Sequence, residues 1–252
     1  MHPLTSALVA ARTTGVRTTL PGIEVDAIDR ATAFRVQLEV VEELGTSIAG
    51  WKVAVLADDD VIAAPIITER LIRLPTSLPP SVYGLGGVEC EVAFEIARTP
   101  IATRGEFSRD EILASMGSAH AAMEVLDSRW TMGLTSPRNA MVADLLANGA
   151  LVIGEPVDEW RHQNFASLRV ALEVNGEVLI EREGGHASGD LIGWVALLAN
   201  HLAERGQVLR RGQFVTTGSF TGVHFAAPGD EMTIRFQGFP LLTVAFEPEP
   251  QD

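Results

Sequence analysis

The chain has 252 residues and a mass of 27.0 kDa, with 33 acidic and 19 basic side chains and a net charge of -14 at pH 7. Hydrophobic residues make up 46% of it and charged residues 21%, which is typical of a folded globular protein and excludes a disordered chain. The acidity argues against partners such as nucleic acid and anionic membrane surfaces. Cys90 is the only cysteine, which excludes an internal disulfide and fits a reducing compartment.

The sequence also shows no targeting or membrane segment. Residues 1–15 contain a short apolar patch without a basic start, so they do not form a secretory signal. The longest apolar stretch without charge at a helix-like site, Leu191–Ala203, is too short to cross a bilayer. We therefore expect a cytoplasmic protein.

The first third of the chain predicts a helix, a strand and a loop. Apolar residues at steps of three and four predict a helix over residues 26–44, with Asp26 as its N-cap and Gly45 as its stop. A strand is predicted over residues 48–56, and it carries Lys52, the only lysine of the protein. Prolines between residues 75 and 80 predict a connector, and the glycines at 84, 86 and 87 predict a loop or hinge.

From residue 88 onward the chain is rich in predicted strands. These cover residues 88–96, 214–216, 231–236 and 241–246. A hairpin is predicted over residues 170–182 around Asn175-Gly176, and a helix over residues 191–205 ending at Gly206. Many strands with few helices predict an α+β, mostly β architecture, in a single domain over residues 1–252.

One predicted strand concentrates acidic residues on one face. Alternation places Val88, Cys90, Val92, Phe94 and Ile96 on one face and Glu89, Glu91, Ala93 and Glu95 on the other. The acidic face could be solvated, as in an ordinary amphipathic strand. Alternatively, Glu89 and Glu91 lie about 7 Å apart on that face and could converge on one cation.

Glu124 is a candidate third carboxylate because it interrupts an apolar run. A buried carboxylate needs a partner, and that partner could be a metal ion or the nearby Arg129. Three carboxylates would form an oxygen site suited to Mg²⁺ or Mn²⁺. His120, four residues before Glu124, would share its face on a helix, but a histidine in this position is more often structural.

The motifs together resemble a known family. The chain resembles the fumarylacetoacetate hydrolase superfamily, and within it the 2-keto-4-pentenoate hydratase and 2-oxo-3-hexenedioate decarboxylase branch. The resemblance covers roughly residues 26–246. It rests on the order and spacing of Gly50-Trp51-Lys52-Val53, Val88-Glu89-Cys90-Glu91-Val92-Ala93-Phe94, Met123-Glu124-Val125-Leu126-Asp127-Ser128-Arg129, Val142-Ala143-Asp144, Val152-Ile153-Gly154, Leu198-Ala199-Asn200, Thr217-Gly218-Ser219-Phe220-Thr221-Gly222 and Pro228-Gly229-Asp230.

The resemblance implies a fold and a site. The fold is a mixed β-roll, with an N-terminal helical portion of about residues 1–60 and a β-rich catalytic core over residues 61–252. The metal ligands map onto Glu89, Glu91 and Glu124, and the catalytic lysine maps onto Lys52. The turn Thr217-Gly218-Ser219 maps onto the loop that closes over the carboxylate end of the substrate. Homo-oligomerisation is implied as well.

Three segments depart from the family pattern. Asp-Phe-Gly usually follows the family's proline, whereas Ile66-Ile67-Thr68 follows Pro65 here. An amide and a hydroxyl are lost where Leu145-Leu146-Ala147 replaces Asn-x-Ser, and Ala54 begins an apolar run in place of Gly-Leu-Thr-Ser. These losses remove polar groups near the expected substrate and put water delivery in doubt.

The function implied is that of a divalent-metal-dependent lyase in aromatic catabolism that acts on a small 2-oxo acid or its dienol. The metal would stabilise an enolate of the substrate, and Lys52 would supply a positive charge and a movable proton. A 2-keto-4-pentenoate hydratase-like hydration is the first prediction. Decarboxylation of the 4-oxalocrotonate type or C–C hydrolysis on the same site are alternatives, and an inactive scaffold or binding protein is a second alternative.

Overall fold

Two β-sheets and six α-helices make up the part of the chain that the computed structural model describes, residues 2–19, 28–56, 60–74 and 76–250. The strands are β1 Ile48–Val55, β2 Val61–Ile67, β3 Leu71–Arg73, β4 Thr76–Leu78, β5 Gly87–Ile96, β6 Met116–Leu126, β7 Asn148–Val157, β8 Arg169–Val174, β9 Glu177–Glu183, β10 Phe214–Thr216, β11 His224–Phe225, β12 Glu231–Phe236 and β13 Leu242–Phe246. The helices are α1 Pro3–Thr14, α2 Arg30–Glu43, α3 Pro80–Tyr83, α4 Arg109–Ser115, α5 Arg138–Ala143 and α6 Leu191–Ala203. This architecture confirms the predicted α+β class.

The larger sheet positions the candidate site. Its strand order is β2-β1-β10-β5-β6-β7-β3, and β11 lies off this path and pairs with the first residues of β5. β10 is only three residues long, yet it joins β1 in parallel and β5 in antiparallel orientation. Gly50 permits this close approach, because a Cβ at that position would collide with the backbone carbonyl of Phe214.

The smaller sheet has the strand order β4-β13-β12-β8-β9. The predicted hairpin is confirmed as β8 and β9, and both turn residues are left-handed, with φ of 52° at Asn175 and 86° at Gly176. A two-residue turn of this kind matches the right-handed twist of the two strands. The apolar faces of both sheets enclose one core with α6, whose Leu191, Val195 and Leu198 are fully buried.

The N-terminal helices form a second apolar cluster. Leu4 and Leu8 of α1 pack with Val36 and Val40 of α2, and Ala140 of α5 completes the contact. α2 begins at Arg30, where the Asp29 side chain accepts a hydrogen bond from the Thr32 N–H, and it is followed by Gly45 as predicted. The predicted N-cap, Asp26, lies outside the described residues.

In two segments the observed secondary structure differs from the one predicted from the sequence. The Pro-rich connector is not wholly irregular, because β4 lies within it and pairs in parallel with β13. α6 ends at Ala203, two residues earlier than predicted from the pattern, and Gly206 adopts the left-handed conformation beyond it. Within the described ranges, no helix is both long and apolar enough to span a membrane.

Candidate metal centre and active site

Three carboxylates meet on one face of the larger sheet. In the antiparallel pair β5–β6, Glu89 lies directly opposite Glu124, and Glu91 lies two residues further along the same face. Ligand oxygens of the three side chains lie within 4.8 Å of one another. Since like charges directly opposite each other destabilise a sheet, this arrangement calls for a compensating cation.

The acidic face of β5 is not solvated, so that interpretation of the alternation is wrong. Glu91 and Glu124 are 2% and 1% exposed, and Glu89 is half-buried. The opposite face, from Val88 to Ile96, is buried in the main core. Both faces of this strand are therefore covered, and the carboxylates line a cavity.

Lys52 lies beside the triad and pairs with Glu124. Its Nζ donates hydrogen bonds to Glu124 Oε1 and, at 2.9 Å, to the backbone carbonyl of Leu146. The amide of Asn148 donates to the same Glu124 oxygen at 3.1 Å. The proposed Arg129 partner for Glu124 is wrong, because Arg129 pairs with Asp144 at 2.7 Å.

Glu91 is held by the short strand and the loop that follows it. Its Oε2 accepts hydrogen bonds from the Thr216 hydroxyl and, at 2.9 Å, from the Gly218 N–H. Among the described residues, no hydrogen bond is donated to Oε1 of Glu91 or to Oε2 of Glu124. Each of these two side chains thus keeps one oxygen for a ligand.

The electrostatics of the triad favour a cation. The pKa of Glu89 is raised to about 7, because burial and the charge of Glu124 outweigh the opposing effect of Lys52. Burial and the charges of Glu124 and Glu89 raise the pKa of Glu91 well above its ordinary value. Three carboxylates face the single ammonium group of Lys52, so a divalent cation would bring the net charge of this cluster of four side chains close to zero.

The donor set fits a hard divalent cation. All three candidate ligands are carboxylate oxygens, which Mg²⁺ and Mn²⁺ prefer over softer nitrogen or sulfur donors. Three side chains leave further coordination positions for water or a chelating substrate.

The triad lines one end of a cavity of about 320 Å³. Its other walls are apolar, formed by Val53, Ala54, Leu126, Leu134, Met141, Leu146, Ala147 and Val223. Among the residues that the structure describes, Ser219 contributes the only hydroxyl group to this lining.

The departures from the family pattern divide into two groups. Ala147, which stands in place of the family's serine, lines the cavity, so a hydroxyl group is missing there. Leu146 and Ala54 line it as well, but neither stands in place of a polar residue. By contrast, Leu145 and Ile66 are core residues, buried among apolar side chains. The expectation that the change at Ile66 removes a polar group beside the substrate is therefore wrong.

The wall segment 145–147 has an unusual backbone. Leu145, Leu146 and Ala147 all have φ near the left-handed helical value, at 53°, 53° and 54°. L-residues in this conformation are disfavoured by roughly 1–2 kcal/mol each. The turn directs the Leu146 carbonyl to Lys52, which places a strained segment at the candidate site.

The predicted substrate loop is only partly at the cavity. Gly218 and Ser219 line it, whereas Thr217 is fully buried and donates its hydroxyl hydrogen bond to the Val92 carbonyl. Gly218 has φ of 97°, and a Cβ there would press against Trp194 and His186. Glycine is thus required by both conformation and space.

Sequence reasoning missed several residues that hold the site in place. Thr216 and Asn148 orient the carboxylates, and His186 bonds to the Thr217 carbonyl at 2.6 Å behind the loop. His186 also packs edge-on against Trp194. For Thr216 and Asn148, the only indication in the sequence was a polar residue at the end of a strand.

His120 is structural, as its position favoured. It lies on β6 and not on a helix, and it is buried. Its ring nitrogens are hydrogen-bonded to the Ser118 hydroxyl at 2.9 Å and to the Gly154 carbonyl at 2.8 Å. No nitrogen is left to join a metal site.

The larger sheet and the three carboxylates together form an acidic pocket. Comparisons with known proteins show which proteins this chain resembles. No protein-family model matches the sequence. The chain is 31% identical over 159 residues to 4-oxalocrotonate decarboxylase of Pseudomonas putida, covering 63% of this chain and 59% of that protein. It is 25% identical over 142 residues to 2-hydroxyhexa-2,4-dienoate hydratase of Comamonas testosteroni, covering 55% and 52%. The sequence matches thus span little more than half of these relatives.

Solved structures with a similar fold extend over more of the chain. The 4-oxalocrotonate decarboxylase of Pseudomonas putida G7, complexed with magnesium and adipate, has a TM-score of 0.84 and 24% identity, covering 96% of this chain and 95% of that one. A structure of the fumarylacetoacetate hydrolase family from Yersinia pestis CO92 has a TM-score of 0.56 and 16% identity, covering 80% and 93%. The chain has the fumarylacetoacetate hydrolase fold, and its predicted resemblance to that superfamily and to its hydratase and decarboxylase branch is confirmed.

Proposed function

We propose that this protein is a divalent-metal-dependent lyase acting on a small 2-oxo acid or its dienol. Glu89, Glu91 and Glu124 would hold Mg²⁺ or Mn²⁺. The observation that carries the proposal is the convergence of three largely buried carboxylates within 4.8 Å at one end of a cavity. Such a charge concentration is costly without a cation, and a purely structural role gives no reason for it.

The bound cation would supply Lewis-acid polarisation of the substrate's 2-oxo group. The chain's own residues have separate tasks. Lys52 would hold or move a proton at the substrate carbon next to that group, because its Nζ is the one ammonium in the cavity lining. Glu124 and the Leu146 carbonyl fix the position of that Nζ. Gly218 and Ser219 would contact the carboxylate end of the substrate.

The cavity walls favour an apolar substrate tail. Away from the triad, aliphatic side chains such as Val53, Leu134 and Met141 form the lining. The described lining contains no cation besides Lys52 to receive a second carboxylate. We therefore propose a monocarboxylic 2-oxo acid with a hydrocarbon tail, and a preference for a dicarboxylate would contradict this part of the proposal.

Hydration remains the first candidate, because decarboxylation makes a demand that a monocarboxylic substrate does not meet. Loss of CO₂ that leaves an enolate needs a second carboxylate, β to the 2-oxo group or conjugated to it, in addition to the carboxylate that chelates the metal. Water addition needs a polar group that holds and orients the water; Ala147 stands in the lining where the family pattern has a serine, so the remaining polar groups of the lining would position the water. Decarboxylation of a dicarboxylate is the alternative.

The test is a product analysis with metal-loaded protein. The chain would be incubated with β,γ-unsaturated 2-oxo monocarboxylic acids for hydration, and with 2-oxo dicarboxylic acids whose second carboxylate is β to the 2-oxo group or conjugated to it for decarboxylation. We expect metal-dependent hydration of the former and slower CO₂ release from the latter. Turnover that is unchanged after metal removal would contradict the proposal, and no turnover with any substrate despite metal binding would favour an inactive scaffold.

Assembly and location follow the resemblance. A cytoplasmic homo-oligomer with a role in aromatic catabolism is part of this proposal. It is supported by the superfamily resemblance and by the single, buried cysteine. Analytical ultracentrifugation of the purified protein tests the assembly directly.

A further inference from the structure

A second cavity of about 330 Å³ lies apart from the acidic triad. It is bounded by the C-terminal end of α1, the turn between β2 and β3, α3, and the segment that follows β6. Four arginines contribute to its lining: Arg12, Arg17, Arg70 and Arg129. This is a concentration of positive charge in a chain whose net charge is -14.

Two aspartates compensate only part of this charge. Asp144, which is fully buried, pairs with Arg12 at 3.0 Å and with Arg129 at 2.7 Å. Asp127 pairs with Arg17 at 3.1 Å and with Arg129 at 3.4 Å. Among the described residues, the four guanidinium groups of the lining form ion pairs with two carboxylates, which leaves two positive charges without a paired carboxylate.

Hydrogen-bonding capacity is unused there as well. The Arg70 guanidinium forms no hydrogen bond or ion pair with any residue that the structure describes, although its half-buried side chain lines the cavity. The buried Nε of Arg12 has no hydrogen-bond partner either. Burial and the neighbouring Arg129 lower the pKa of Arg12 to about 9, so these groups are costly to keep charged.

We propose that this arginine cavity binds a small oxyanion carrying two negative charges, either a dicarboxylate or a phosphate. The planar guanidinium fork matches both groups, since each offers paired oxygens at suitable spacing. Arg70 supplies the free fork, and Arg17 lies at the rim, where its side chain is 38% exposed. A ligand with two negative charges would balance the two arginine charges that have no paired carboxylate among the described residues.

The cavity is distinct from the candidate active site. The acidic cavity attracts cations and the arginine cavity attracts anions. Asp144 anchors Arg12 and Arg129 at the arginine cavity, and the next residues of the chain form the turn whose Leu146 and Ala147 line the acidic cavity. The two sites therefore lie on either side of one short segment, and the new site does not depend on the proposed function.

The experiment is calorimetric titration of inorganic phosphate and, separately, of succinate into the 252-residue chain. It is run once in EDTA and once with Mg²⁺, because anion binding in EDTA cannot occur on a metal at the triad. We expect saturable binding of one anion per chain in both conditions. Whichever anion binds more tightly identifies the phosphate or dicarboxylate source, and either supports the proposal.

A charge-matched pair of variants locates the binding. Arg70→Gln should weaken the anion affinity by about tenfold or more, as expected when a charge-assisted hydrogen bond is lost. Arg104→Gln removes the same charge from an exposed loop residue that forms no hydrogen bond or ion pair with the described residues, and it should change the affinity by less than about twofold. Both variants should bind Mg²⁺ like the wild type, so a failure here is separate from a failure at the triad.

Three results would overturn the proposal. These are the absence of saturable binding of either anion, an affinity that Arg70→Gln leaves unchanged, and equal weakening by the two variants. A self-association that Arg70→Gln disrupts, without anion binding, would overturn it too, because the cavity would then receive a carboxylate from a second copy of the chain.

Discussion

Two of the cavities in the described structure have nearly equal volume, about 320 and 330 Å³, and linings of opposite charge. One gathers three glutamates around a single lysine, and the other gathers four arginines around two aspartates. Each leaves a charge that a small ion of opposite sign would balance. Asp144, which pairs with two arginines of the second cavity, directly precedes the left-handed turn that lines the first.

The comparison shows why only one of the two sites could be found from the sequence. Glu89 and Glu91 alternate on one strand, so their shared face is visible in the letters themselves. The arginines come from α1, from the loop after it, from the turn after β2 and from the segment after β6. No local pattern joins residues so far apart in the chain.

The largest effect is expected from Glu91→Ala. Removing this candidate ligand should abolish detectable Mg²⁺ binding and reduce metal-dependent turnover by about a thousandfold or more, since metal polarisation supplies several kcal/mol. Fold integrity is checked by circular dichroism and thermal unfolding, which should change little because one repulsive carboxylate is removed.

Glu95→Ala provides the matched control for that variant. Glu95 lies on the same face of β5, but its carboxylate accepts a hydrogen bond from Ser118 and does not belong to the triad. This control should retain metal binding. Equal activity of Glu91→Ala and the wild type would remove the metal proposal.

Lys52→Met should have the next largest effect, a loss of roughly 3–4 kcal/mol in transition-state stabilisation, similar to the loss of other preorganised electrostatic groups. The loss should appear in kcat, while Mg²⁺ binds at least as tightly because Glu124 loses its ammonium partner. If kcat/KM stays within about tenfold of the wild type, Lys52 is structural.

Asp144→Asn tests the segment shared by the two cavities. The change leaves the buried Arg12 and Arg129 without their carboxylate, which should cost about 3–5 kcal/mol in the free energy of unfolding. Urea denaturation measures this loss. Asp60→Asn, at the partly exposed pair with Arg30, should cost less than about 1 kcal/mol, and equal losses in both variants would contradict the account.

A smaller effect is expected from the pH dependence of stability in EDTA. The pKa of Glu89 is raised to about 7 in the folded, metal-free protein from an ordinary value of 4.5. The folded state therefore holds more protons than the unfolded state between these values, and the contribution of Glu89 to stability falls as pH rises through this window. Glu89→Gln removes the effect.

The difference in stability between the wild type and Glu89→Gln reports the charge of this carboxylate, including its effect on the pKa of the neighbouring Glu91. Burial lowers the pKa of His201 to about 4, which gives an opposite trend, but in both proteins equally. We expect the variant to gain about 2 kcal/mol on the wild type between about pH 5 and about pH 8, measured by urea unfolding in EDTA. A constant difference across this range would contradict the proposed charge repulsion.

Local patterns predicted much of the fold. Alternation located β5, and Asn175-Gly176 located the hairpin turn, because both signals depend on residues adjacent in the chain. The Pro-rich connector concealed β4, whose pairing with β13 depends on a partner about 170 residues away.

The sequence pointed to the three carboxylates and Lys52 as candidates, but it did not show which side chains contact each other. Arg129 was an available partner for Glu124 by sequence proximity, whereas Lys52 reaches it only because β10 joins β1 to β5. The left-handed turn at Leu145–Ala147 contains no glycine, so nothing in its sequence indicated it. The pairing of Lys52 with Glu124 depends on the order of strands distant in sequence, which the sequence alone does not show.

The most direct test of the central claim is a calorimetric titration of Mg²⁺ into the metal-stripped protein, with and without oxalate. Oxalate imitates the planar, chelating form of a 2-oxo acid substrate. The account predicts Mg²⁺ binding that oxalate tightens, and Glu91→Ala should abolish both signals. The absence of Mg²⁺ binding in either condition would contradict the assignment of Glu89, Glu91 and Glu124 as a metal site.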